Sequence, residues 1–182
     1  MGRLNELEKA HTRATGSGPG RRWGTEQLNR SLFIALVAQF QSYCRALHDE
    51  GVAIHLQQVA PAQRRLIRTL MTQARRLDTG NPRTSALGID FASLDIDLIP
   101  AVTLLGVGVE ADLKALDRLI DFRNAISHGN EGAVAALSAS GEIKATKKSY
   151  TEYRETLDRL AGSIDGVVAA KLAVVLGIPV PW

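Results

Sequence analysis

The chain has 182 residues, 45% hydrophobic and 23% charged, which excludes disorder throughout and fits one domain or one domain with an extension. Its nine aromatic residues are few, so the core must be built mainly from Leu, Ile, Val and Ala, which favours helices. One cysteine, Cys44, excludes an intramolecular disulfide framework and a multi-Cys zinc site, and a net charge of +3 permits a polyanionic partner without demanding one. No secretion signal is expected, since Met1–Ala10 is charged throughout and has no apolar stretch, and uncharged runs such as the 12 residues of Leu98–Val109 fall short of the ~20 needed to span a bilayer. The expectation is a soluble, cytoplasmic protein.

In chain order, Leu4, Leu7 and His11 suggest a short leading helix, followed by a loop over Thr15–Gly24 rich in Gly and Pro. Residues 1–24 thus read as an N-terminal arm and Gly-rich loop, and residues 25–182 as the helical domain. The first strong helix is predicted over Glu26–Asp49, with Thr25 as its N-cap and Gly51 as a left-handed stop. Leu28, Leu32, Leu36, Phe40, Tyr43 and Leu47 form its apolar stripe, broadened by Ile34 and Val37. A second helix starts at Pro61 and ends at Gly80-Asn81-Pro82, with Leu66, Ile67, Leu70, Met71, Ala74 and Leu77 on its apolar face. It carries a basic row: Arg64, Arg65, Arg68, Arg75 and Arg76.

Ser85–Val109 reads as an irregular or short-helical connection, since Pro100 and the lack of a pairing run oppose a strand at Leu94–Leu98. A third helix is predicted over Glu110–Ser127, closed by Gly129-Asn130. The following Gly- and Ala-rich stretch suits a helical turn or a small hairpin at Ser140-Gly141-Glu142. A final helix is predicted from the capping box Ser149-x-x-Glu152, stopped by Gly177 and Pro179. The sum is an all-α bundle of four substantial helices with short connections.

Three constellations bear on chemistry. Gly106-x-Gly108-x-x-Ala111 has the spacing of a dinucleotide loop, but the βαβ context it needs is missing, so it reads as the entry to the third helix. The four histidines, His11, His48, His55 and His128, include no i, i+4 pair of the kind that holds zinc on a helix, so neither a metal nor another cofactor is expected. The third is Phe122-Arg123-Asn124-Ala125-Ile126-Ser127-His128-Gly129, which ends an amphipathic helix with a fixed cation, small polar groups and an imidazole. Arg123 and His128 lie about 140° apart on ideal helical geometry, while Asn124 and His128 are stacked at i, i+4. A histidine can move a proton and an arginine can steady phosphate charge, which suits phosphoryl chemistry on a ribose; a polar helix end with a capping Arg remains the alternative.

This segment resembles the R-x4-H motif of HEPN domains, with a polar residue after the Arg and a His-Gly ending. The run SLFIALVAQFQSYCRAL, the GNP connection at Gly80–Pro82 and the final YTEYRETLDRLAGSIDGVVAAKL helix are similar to the RiboL-PSP-type HEPN group over residues 25–178. The resemblance implies a HEPN-like bundle and a metal-independent endoribonuclease, acting as a toxin or anti-phage defence effector. It also implies a homodimer with two motifs facing one cleft, and an antitoxin or defence-system partner protein. Arg123 and His128 become the catalytic pair and Asn124 the supporting polar residue. Gly129-Asn130-Glu131 departs from members that carry a tyrosine shortly after the His, which opposes silencing by nucleotidylation. Arg64, Arg68, Arg75, Lys144, Lys147 and Lys148 would form an outer track for RNA. The rival reading is a non-catalytic HEPN subunit that dimerises or binds RNA.

Overall fold

The computed structural model describes residues 22–141 and 143–182, together with Asn5, Glu6, Glu8, Lys9 and Arg13. Among these the fold is all-α: α1 (Arg22–Gln57), α2 (Arg64–Thr72), α3 (Arg76–Thr79), α4 (Thr84–Ala92), α5 (Leu98–Thr103), α6 (Val107–Ser127), α7 (Glu131–Ala139) and α8 (Lys147–Leu176). A 3₁₀ turn, Pro61–Gln63, leads into α2. Leu4, Leu7 and His11 of the expected leading helix, most of the 15–24 loop, and Glu142 lie outside the described residues.

The long helices α1, α6 and α8 pack against one another, α7 lies on α6, and α5 touches both α6 and α8. Their apolar stripes meet around Phe33, which is fully buried. Its ring makes edge contacts with Phe122 of α6 (centroids 5.2 Å), Tyr150 (6.0 Å) and Tyr153 (6.3 Å) of α8. Phe122 immediately precedes Arg123, so the central aromatic contact also sets the azimuth of the motif.

The first helix exceeds its expected bounds at both ends. It begins at Arg22 rather than after Thr25, and it runs straight through Gly51. Val52, Ile54 and Leu56 continue the buried stripe, so the helix gains burial by extending. Gly51 serves close approach instead of a left-handed turn: a Cβ there would sit 2.7 Å from Leu94 Cδ1.

The expected second helix is broken into α2 and α3. The cause is distant in sequence. Asp90 on α4, buried, accepts the backbone amides of Arg76 (2.7 Å) and Leu77 (2.8 Å), so it caps a new helix there. Arg75 correspondingly leaves helical conformation at φ −62°, ψ 120°. Of the expected apolar face only Ile67, Met71 and Leu77 pack inward, while Leu66 and Leu70 are 62% and 63% exposed.

Elsewhere the structure follows the expected short-helical connection and differs only locally. The 85–109 connection contains two short helices, α4 and α5. The stretch after Asn130 is the helix α7, whose N-cap Asn130 accepts the amide of Ala133 at 3.0 Å. The last helix is capped three residues early, by Thr146 accepting the Ser149 amide at 3.2 Å, and it ends as expected at Gly177 with φ +63°. Glu8, from the N-terminal arm, accepts hydrogen bonds from Tyr150 and Arg154 on α8.

The break in the second helix also creates a pH-sensitive joint. His48 is fully buried on α1, its Nε2–H directed at the Asp90 carbonyl (3.1 Å) and Ser93 Oγ (3.0 Å). Its Nδ1 accepts from Arg75 Nη1 at 3.3 Å. Burial first, and Arg75 second, hold its pKa below the ordinary 6.5. The unfolded chain then binds a proton that the folded chain refuses. Stability is complete above about pH 6.5 and should fall with acid below it, by up to about 1.4 kcal/mol per pH unit. Urea midpoints measured from pH 7 to 5 should show this slope in wild type and lose much of it in His48→Gln.

Candidate functional site

Arg123 and Asn124 occupy the last full turn of α6, and His128 is its C-cap. The helix end is tightly closed. Gly129, at φ +64°, donates to Ile126 O (3.1 Å), and Asn130 donates to Ala125 O (2.9 Å). This double bond is the Schellman closure, in which only glycine takes the left-handed position without strain. Asn130 then caps α7, so α6 and α7 share one rigid corner. His128 is held there exposed, and its ring makes no hydrogen bond to a described residue.

Arg123 is half-buried, at the i+4 and i+3 positions from the buried Leu119 and Ile120 on α6. Its Nη1 donates to Asn124 Oδ1 at 3.2 Å, and its Nε is buried without a partner among the described residues. No carboxylate among the described residues pairs with it. By contrast Arg30 pairs with Glu26 and Glu131, Arg75 with Asp49 and Asp78, Arg154 with Glu8, and Arg159 with Asp112. A half-buried guanidinium left without a counter-ion is electrostatically unfinished, and an incoming anion would complete it.

Sequence reasoning named Asn124 and His128 but missed Asp117 and Asp121, which brace this site from the same helix face. Asp117, Asp121, Asn124 and His128 recur at steps of four, three and four, which forms one polar stripe along α6. The stripe clasps the segment between α3 and α4. Asp117 Oδ1 accepts the Thr84 amide (3.0 Å), Asp121 pairs with Arg83, and Asn124 Oδ1 accepts from Asn81 Nδ2 (2.9 Å). Gln41 on α1 holds the same segment from the other side, donating to Leu77 O and Gly80 O at 2.7 Å each. The spacing of the stripe was readable; its partner segment was not, because nothing local marks residues 81–84 as its complement.

The expected basic track is dispersed. Arg64 and Arg68 are exposed on α2, where Arg64 Nε donates to Val59 O at 3.0 Å. Arg75 does not belong with them. Its side chain is only 7% exposed, locked by Asp49 (2.6 Å) and Asp78 (3.0 Å), because it fastens the helix break to α1. Lys144 is exposed; Lys147 lies over the Tyr150 ring at 4.9 Å; Lys148 approaches Glu152 at 3.8 Å. The Lys group sits near Asn29, which donates to Ala145 O, whereas the Arg group sits near the opposite end of α1. These are two clusters, not one row.

Gly106 takes φ +134° as the N-cap of α6, and the described residues contain no strand, so the dinucleotide-loop reading has no supporting context. Among the described residues, no three His, Cys, Asp or Glu side chains gather as metal ligands, and no helix is long and apolar enough to cross a membrane. Compared with models of known families, with characterised proteins and with solved structures, the chain matches none.

Proposed function

We propose that the protein is an endoribonuclease of HEPN-like type, acting through Arg123 and His128. One observation carries the reading: Arg123 is half-buried, braced on Asn124 and without a carboxylate partner among the described residues, one turn from an exposed imidazole on a rigid helix corner. In this scheme the ribose 2′-OH attacks the adjacent phosphorus and the P–O5′ bond breaks. The products are a 2′,3′-cyclic phosphate and a 5′-OH end. His128 takes the 2′-OH proton and returns one to the departing 5′ oxygen, while Arg123 and Asn124 donate to the phosphate oxygens.

One chain supplies one Arg and one His, and the proposal therefore includes a homodimer that brings two motifs to a single phosphate. Toxin or anti-phage defence effector is the biological role that accompanies this reading, with an antitoxin or defence protein as its restraint. The test is direct. Purified protein should cut single-stranded RNA in EDTA and leave cyclic-phosphate ends, and a 2′-deoxy substitution at the cut site should block it. If folded protein binds RNA and leaves it intact, the non-catalytic RNA-binding subunit replaces this reading.

Binding should be salt-dependent through the exposed cations. Replacing Arg64 and Arg68 with Gln should flatten the log–log salt dependence by about 1.4, at about 0.7 for each phosphate contact on a single strand. Arg75→Gln is the control that should act on stability instead. An unchanged slope in the Arg64/Arg68 double variant would return α2 to a merely solvated surface.

A further inference from the structure

Arginine is a donor only, so the Asn124 atom facing Arg123 Nη1 at 3.2 Å must be the amide oxygen. The Asn81 atom facing that same oxygen at 2.9 Å must then be the amide nitrogen. Oδ1 of Asn124 thus accepts twice, and its Nδ2, which makes no hydrogen bond to a described residue, is left as a donor. We propose that Asn81 is a positioning residue: it locks the Asn124 amide so that Asn124 Nδ2 and the Arg123 guanidinium present only donors, a site for a tetrahedral oxyanion such as a phosphate group.

The surroundings fit this role. Pro82 is buried, and the Arg83 amide turns back to Asn81 O at 2.8 Å, so Asn81 is presented from a fixed turn. That turn is itself fastened by Gln41 behind it and by Asp117 and Asp121 beside it. The Nε of Arg123, buried and without a partner among the described residues, leaves the guanidinium's donor capacity unmet on its inner side. Without Asn81 the Asn124 amide is held only by the longer 3.2 Å contact from Arg123 and turns its oxygen toward an anion site more readily. The inference rests on the proposed reaction only for the identity of the anion; the donor geometry stands apart from cleavage.

The experiment uses the full chain and inorganic phosphate. In ¹⁵N-labelled wild type, phosphate should shift the Asn124 side-chain amide and the Arg123 Nε–H resonances. Asn81→Ala should weaken phosphate binding by about ten-fold, the loss of roughly one hydrogen bond's orientation. Asn81→Asp should be worse still, because it keeps the shape but replaces the donor with a charged acceptor. A residue that merely filled space would show the reverse order, with the isosteric Asp variant the milder. That reverse order, unchanged affinity in either folded variant, or unmoved Asn124 and Arg123 signals in wild type would overturn the inference. Intact phosphate binding with the expected variant order, but no RNA cleavage, would instead sink the ribonuclease reading and leave this one standing.

Discussion

Replacing His128 with Ala should lower RNA cleavage by about 10²–10⁴-fold, the usual worth of a positioned proton-transfer group. Arg123→Gln should cost a comparable factor, because its guanidinium is the only half-buried cation of the motif and stands where phosphate charge would develop. The two substitutions differ in what they do to the fold. His128 is exposed at a closed helix corner, so His128→Ala should move stability by only about ±0.5 kcal/mol. Arg123 is half-buried with a buried Nε, so truncation to Ala would remove buried volume as well as charge, and Gln is the cleaner probe. The double variant should be scarcely slower than the worse single one, since members of one catalytic unit are strongly non-additive. Single-turnover rates with matched melting curves check this. Independent, multiplying losses would mean that the two residues do not share a transition state.

Phe33→Ala should be among the most destabilising single changes, costing about 3–5 kcal/mol. The ring is fully buried and touches aromatic side chains from both other long helices, so no one neighbour can collapse into the gap. Against a typical total stability of about 5–15 kcal/mol, that loss leaves a marginal protein. Because Phe122 is one of those neighbours, Phe33→Ala should also loosen the turn that carries Arg123. Phe33→Leu keeps most of the volume and should cost far less. Urea denaturation of the two variants separates these outcomes, and a loss below about 1 kcal/mol for the Ala variant would show that the helices repack around the void.

What could be read from the sequence was the part governed by local periodicity and by end signals. The α1 stripe, the α6 stripe, the Gly129-Asn130 closure and the Gly177 stop are all of this kind. The motif segment was legible for the same reason, since it is a polar ending on an apolar helix. The errors came from contacts between residues far apart in the chain. Gly51 carries a stop signal, yet Leu94 packs on it and the helix continues. Residues 61–77 have unbroken helical periodicity, yet a carboxylate from residue 90 breaks them. Arg75 looks like one more surface cation, but two aspartates and a buried histidine enclose it. Asn81, which braces the site, had no signal beyond standing before a proline.

The great length of α1 has a consequence of scale. Its 36 residues extend about 54 Å at 1.5 Å per residue. The lysine cluster is tethered near residue 29 and the arginine-bearing segment near residue 49, through Ala145 and Arg75 respectively. Twenty helical residues separate those anchor points by about 30 Å. At about 3.4 Å per nucleotide of one helical strand, a polyanion reaching both would need roughly nine nucleotides. The helix is thus a ruler: a mononucleotide could occupy the motif, but only an oligomer is long enough to reach both basic clusters at once.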